Sequence, residues 1–242
     1  MNIGYFGHST VGDDTHGQPG AFVIDVAQHF KAQILNTGTG QGSQERILFE
    51  LKKCRNLDVA VIFHSRPQSL FIPGARMDFH IAEDPDHKAE IIWSQELFLQ
   101  MTPPKVDEEQ LFREKYQESL QYRKNFSAVF KTPQDFVVCL KNFKKYLYHQ
   151  DLQQNRFEGA LMLIDEYCAS RVPIVIHSID PVRIPSWWKG FKSGILVPEL
   201  NAYEKKYREP SQPNCLSPEG HRVMKETLIR VITEQLAKRN AN

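Results

Sequence analysis

Three short apolar runs, Ile3–Phe6, Gln33–Leu35 and Val59–Phe63, fall near the start of the chain, and each gap between them carries a helical pattern. Runs that are continuous rather than alternating belong to strands buried on both faces. Residues 21–30 are apolar at Phe22, Val23, Val26, Ala27 and Phe30. Residues 44–54 are apolar at Ile47, Leu48 and Leu51, with Ser43 in the N-cap position. A β-α-β-α-β order at this spacing constrains the chain to a doubly wound parallel sheet.

A fourth run, Ile174–His177, follows a helix expected over 157–170, where Leu161, Ile164, Asp165 and Cys168 recur at i, i+3, i+4, i+7. The last helix starts at Ser217-Pro218, a capping residue followed by proline, and runs to about Lys238. The middle is different. Prolines 67, 73, 85, 103 and 104 break residues 65–105 into loop and short pieces, with an apolar patch at Ile91-Ile92-Trp93 that suits an edge hairpin. Residues 108–148 are polar, aromatic and helical, interrupted at Thr132-Pro133. After Trp187-Trp188 the chain reads as irregular as far as Asn214. The expectation is one α/β domain over 1–242, a three-layer Rossmann-like parallel sheet carrying a helical insertion at about 71–156.

A formal net charge of +1 over 242 residues leaves no electrostatic footprint for nucleic acid or membrane partners. Cys54, Cys139, Cys168 and Cys215 form no CxxC pair, so neither a zinc site nor a disulfide framework is expected. Residues 1–7 lack the basic segment and long apolar run of a signal peptide, and no apolar run approaches eighteen residues, so a reduced cytoplasmic protein is expected. The glycine-rich stretch Gly38-Thr39-Gly40-Gln41-Gly42-Ser43 precedes a helix, as phosphate cradles do. It lacks both Gly-x-Gly-x-x-Gly spacing and a Lys-Ser/Thr ending, and no metal or cofactor is expected.

Three segments together resemble the SGNH (GDSL-type) hydrolase superfamily. Gly7-His8-Ser9-Thr10-Val11-Gly12 is similar to its first block, Leu35-Asn36-Thr37-Gly38-Thr39-Gly40-Gln41-Gly42-Ser43 to its second, and Asn214-Cys215-Leu216-Ser217-Pro218-Glu219-Gly220-His221 to its last. Asp58–Phe63 fits the strand of the third. The resemblance covers roughly 1–70 and 157–240. The turn at 42–47 and the large insert look like members found in tailed bacteriophages, which adds a virion or an infected host cell as a location. The resemblance implies a serine esterase. Ser9 would be the nucleophile, and the Gly38 N–H would sit in the oxyanion hole, where one donor is worth roughly 3–4 kcal/mol. The implied substrate is a small ester or an acylated carbohydrate.

The chain departs from that pattern at several positions. Ser65-Arg66-Pro67-Gln68 stands where the family has Gly-x-Asn-Asp, Cys215 where it has the catalytic His, Gln212 where it has the Asp, and His8 where an Asp precedes the serine. His64 and His177 each end a parallel strand, and a neutral imidazole about 3 Å from a hydroxyl can act as its base. His64 is the candidate base; local hydrogen bonding at a strand end is the alternative for both. Arg66, able to grip a carboxylate or phosphate, His177 and Cys215 are the candidates for lining the substrate site. Cys215 has only neutral neighbours to tune its thiol, which suits a structural cysteine. His221 falls in the first turn of the last helix, where packing or capping suits it. Asp13-Asp14-Thr15-His16 reads as a surface loop rather than a metal site, and Trp187-Trp188 as packing or a sugar platform. Two functional expectations follow: an ester hydrolase with an atypical base, or a non-catalytic binding or assembly protein of the same frame, with the insert as its protein-partner surface.

Overall fold

The computed structural model of the protein describes residues 1–7, 21–38, 42–71, 79–80, 128–209 and 212–241. The chain packs as two units, one of residues 1–66 and 157–242, the other of residues 67–156.

The first unit is built on five strands, β1 (Asn2–Phe6), β2 (Gln33–Asn36), β3 (Val59–Phe63), β6 (Ile174–Ser178) and β7 (Ile195–Leu196). They pair in the order β2-β1-β3-β6-β7, every pair parallel. The helices α1 (Ala21–His29), α2 (Gln44–Lys53), α4 (Gln150–Ala169), α5 (Pro198–Lys206) and α6 (Pro218–Asn240) flank it. Because side chains alternate along a strand, each strand feeds two cores. Ile3, Tyr5, Val59, Val61, Phe63, Ile174 and Ile176 pack against Phe22, Val23 and Val26 of α1, Leu200 of α5, and Met224, Leu228, Val231 and Ile232 of α6. Phe6, Ala60, Ile62 and Val175 face the other way, onto Ile47 and Leu51 of α2 and Ile164 and Cys168 of α4. The result is a three-layer, Rossmann-like α/β fold.

The caps form as their residue types dictate. Ser43 Oγ accepts from Arg46 N at 3.2 Å to start α2, and Ser217 Oγ accepts from Gly220 N at 3.2 Å to start α6. Two stretches differ from the expectations. Helix α4 begins at Gln150, seven residues before the expected start, because its first turns are polar and show no apolar stripe. The stretch expected to be irregular holds β7, α5 and a short antiparallel pair, β8 (Arg208–Glu209) with β9 (Gln212–Leu216). β7 is too short to register as an apolar run, and α5 buries only Leu200 and Glu204.

In the second unit, β4 (Ser69–Leu70) pairs antiparallel with β5 (Phe79–His80). α3 (Pro133–Tyr146) starts on a reciprocal capping box between Thr132 and Asp135, so the expected interruption at Thr132-Pro133 is a helix start. The expected hairpin at 91–93 and the helical stretch 108–127 lie outside the described residues.

Candidate functional site

The strand order 2-1-3-6-7 reverses direction between β1 and β3. In open α/β sheets the crevice outside the carboxyl ends at such a reversal is the usual ligand site. Gly7 follows β1 there with φ +132, and a side chain on it would overlap the Phe63 carbonyl oxygen, so Gly7 itself lies directly against the end of β3. Asn36 ties the neighbouring edge, donating from Nδ2 to the Tyr5 carbonyl at 2.8 Å.

His64 is the residue after β3, and its backbone N donates to the Ser178 carbonyl at 2.8 Å, continuing the β3–β6 ladder. Ile62 lies opposite His177 in that register. His64 and His177 therefore project to the same face as Ile62 and Val175, the face covered by α2 and α4. There His64 Nε2 meets His177 Nδ1 at 2.9 Å. The ring planes differ by 9° with centroids 5.2 Å apart, an edge-to-edge coplanar pair. His177 Nε2 lies 2.9 Å from Ser193 Oγ, and Ser193 Oγ donates to Asp165 Oδ1 at 2.6 Å. Asp165 also accepts the backbone N–H groups of Ser193 at 2.9 Å and Lys192 at 3.0 Å. At the far end, His64 Nδ1 lies 3.0 Å from Gln44 Nε2 and 3.3 Å from Gln44 Oε1.

The acceptor at one end fixes the direction of the whole chain. A carboxylate only accepts, so the Ser193 hydroxyl donates to Asp165 and accepts from His177 Nε2–H. Neutral His177 then presents a bare Nδ1, which accepts from His64 Nε2–H. Neutral His64 presents a bare Nδ1, which accepts from the Gln44 amide. Every donor has an acceptor with both rings uncharged. Burial favours that state: His177 is 0% and His64 2% exposed. Burial drives the His177 pKa down to about 3. His64 is held well below its ordinary value by burial first and by the neighbouring His177 second, against the pull of Asp165. Phe191 closes the layer, stacked on His177 at 3.8 Å between centroids, and Trp188 packs on Phe191.

No protein-family model, no curated protein and no solved structure matches the chain. What it can do is therefore read from its own residues.

Of the residues singled out in the sequence, His64 and His177 are brought together, and their bond spans the β3–β6 pairing rather than a local turn. Gly38 is buried at the end of β2, and Arg66 is exposed two residues beyond His64. Gln212 and Cys215 lie on β9, not in an open loop. Their side chains, together with Ser9, His8 and residues 13–16, lie outside the described residues. His221 is on the opposite face of the sheet from the histidine pair, packed against Phe22 with ring centroids 5.8 Å apart, while Ser217 does the capping. Trp187 is exposed. Among the described residues no three His, Cys, Asp or Glu side chains are grouped to hold a metal ion, and no helix is long and apolar enough to cross a membrane.

Gln44, Asp165 and Ser193 were not picked out from the sequence. Asp165 did carry a signal, since it is a carboxylate inside the apolar stripe of α4, and a buried carboxylate needs partners. Ser193 carried only its neighbour: a side chain at Gly194 would overlap the Val175 carbonyl oxygen, so a glycine is what lets this segment close on β6.

Proposed function

We propose that the chain is an SGNH-like ester hydrolase acting on a small ester or an acylated carbohydrate. Ser9 is the nucleophile, the Gly38 N–H lies in the oxyanion hole, and His64 is the general base. The observation that carries this reading is the hydrogen-bond chain from Asp165 through Ser193 and His177 to His64, from which the His64 tautomer follows. The His64 proton is committed to His177 through Nε2, and its lone pair is on Nδ1, met by an amide from the first turn of α2. A base oriented by a third group on its other nitrogen is the arrangement that activates serine nucleophiles on unrelated folds. Two placements support it. His64 ends the strand beside the topological reversal, and Gly7 lies against the residue before it. Ser9 follows Gly7 by two residues in the sequence. Arg66, exposed at the same edge, suits an anionic part of the substrate.

The test is labelling by a fluorophosphonate together with hydrolysis of p-nitrophenyl acetate. The expected result is label on Ser9, no turnover in Ser9→Ala, and a loss of about 100-fold or more in His64→Gln. Ser9-dependent turnover that survives His64→Gln and is lost in His221→Gln would move the base to the other face of the sheet.

One observation favours a second reading, a non-catalytic binding or assembly protein. All four ring nitrogens of the pair already have partners, and both rings are buried. That reading predicts no label and no Ser9-dependent turnover, with function lost only on changes in the insert.

A further inference from the structure

We propose that His177, Ser193 and Asp165 are positioning residues for His64, a relay that holds its lone pair on Nδ1 and supplies the counter-charge for the proton Nδ1 takes up. The inference rests on the hydrolase reading and adds to it the part that the departures from the family pattern remove. The carboxylate that orients the base comes from α4 rather than from the last block, and it acts through a hydroxyl and a second imidazole.

The geometry leaves the relay one direction. Asp165 accepts three hydrogen bonds, from Ser193 Oγ, Ser193 N and Lys192 N, and so holds the Ser193 hydroxyl proton toward itself. That makes Ser193 Oγ the acceptor for His177 Nε2–H, and His177 Nδ1 the acceptor for His64 Nε2–H. When the attacking hydroxyl takes the place of the Gln44 amide at His64 Nδ1 and gives Nδ1 its proton, the ring becomes an imidazolium. Its Nε2 proton can then pass to His177 Nδ1. His64 is left neutral with its proton on Nδ1, and His177 becomes the cation, one hydroxyl away from the Asp165 carboxylate. Two protons change place, one onto His64 Nδ1 and one from His64 Nε2 to His177 Nδ1, and the charge ends closer to its counter-ion.

The groups facing His64 are few. Among the described residues, the titratable ones acting on it are His177 from β6 and Asp165 from α4. α2 contributes the neutral Gln44, and the segment before β7 contributes Phe191. The Lys192 ammonium pairs with Glu166, while its backbone N–H donates to Asp165. Ser193 is the half-buried member of the chain, whereas Asp165 is buried, so variants at Ser193 disturb the core least.

The experiment combines histidine ¹⁵N NMR with the pH profile of p-nitrophenyl acetate hydrolysis. In the unmodified protein both rings should carry their proton on Nε2; a proton on Nδ1 of either ring overturns the relay, whatever the activity. Asp165→Asn keeps an oxygen acceptor for Ser193 but drops the charge. It should lower kcat by about tenfold or more, leave KM within about twofold, and move the acid limb of kcat/KM to lower pH. Ser193→Ala should lower kcat alike, and Ser193→Thr, which restores the hydroxyl, should recover it. A purely structural contact would change stability and leave the acid limb where it was, which overturns the relay while the hydrolase reading stands. An unmodified protein without Ser9-dependent turnover overturns the hydrolase reading, and the catalytic use of the relay with it. If Asp165→Asn does not fold, the Ser193→Ala and Ser193→Thr pair decides the matter.

Discussion

His64 Nε2 and His177 Nδ1 are 2.9 Å apart in rings only 9° from coplanar, although 113 residues separate them in the chain. Two imidazoles buried side by side rest uncharged, and each ring nitrogen needs a complement. Gln44 and Ser193 supply the outer complements, and Asp165 fixes which way each proton points. The pair is thus one object with one polarity. Removing any member strands a buried donor or acceptor, at about 1–3 kcal/mol for each group left unpaired.

The neutral pair makes stability depend on acid. Both folded-state values lie below the unfolded value of about 6.5. The unfolded chain therefore binds more protons than the folded one as pH falls below about 6.5. The stabilisation is complete above that pH and is lost as pH falls toward the His177 value of about 3, by up to about 1.4 kcal/mol per pH unit for each histidine. Urea unfolding at pH 7, 6 and 5 should show this slope, to which His221, also lowered by burial, adds in the same sense. His177→Gln should flatten it. A free energy constant from pH 7 to 5 would contradict the neutral buried pair.

Two glycines should answer to alanine with opposite signs. Gly159 is inside α4 with nothing near the position of a β-carbon, so Gly159→Ala should stabilise by about 0.5–1 kcal/mol through the unfolded chain's lost freedom. Gly194 lies against the Val175 backbone, which cannot rotate away, so Gly194→Ala must push the segment off β6 and should cost about 1–3 kcal/mol. Thermal melts would separate the two, at about 2–4 °C per kcal/mol for a chain of this size. A destabilised Gly159→Ala would contradict the open space at that helix position.

The frame was legible because β1, β2, β3 and β6 are apolar runs and α1, α2 and α6 carry clear stripes, patterns that report burial directly. β7 and α5 were not, for the opposite reason. A two-residue strand has no pattern, and a helix with two buried positions looks like a surface loop with charges. The site divides in the same way. His64 and His177 could be placed at strand ends by counting along each run. That they bond to each other depends on β3 pairing with β6 in one register, and a shift of one residue would send His177 to the α1 face. Ser193 reaches the pair only through the close approach at Gly194, and no local pattern announces a serine in a turn. Asp165 is a carboxylate within an apolar stripe, a pattern that marks a buried helix face but does not name the partner of the charge.

Gln44 tests the lone pair itself. Its amide donates to His64 Nδ1 at 3.0 Å, in a position only 2% exposed. Gln44→Glu keeps the shape and exchanges the donor for a carboxylate. An ionised carboxylate can only accept, so it is satisfied there when Nδ1 carries a proton, and the Nε2 proton is already committed to His177. The substitution should therefore raise the His64 pKa and shift the ring toward the doubly protonated form, visible as a change of both ring nitrogens in the ¹⁵N spectrum. Stability should then fall less between pH 6.5 and 5 than in the unmodified protein, because the folded and unfolded values move closer together. A protonated base does no work, so Ser9-dependent turnover at pH 7 should drop by about tenfold for each unit the pKa climbs above 7 and recover at higher pH. A His64 that remains neutral in Gln44→Glu, with an unchanged pH profile, would show that Nδ1 is not the nitrogen facing this side chain.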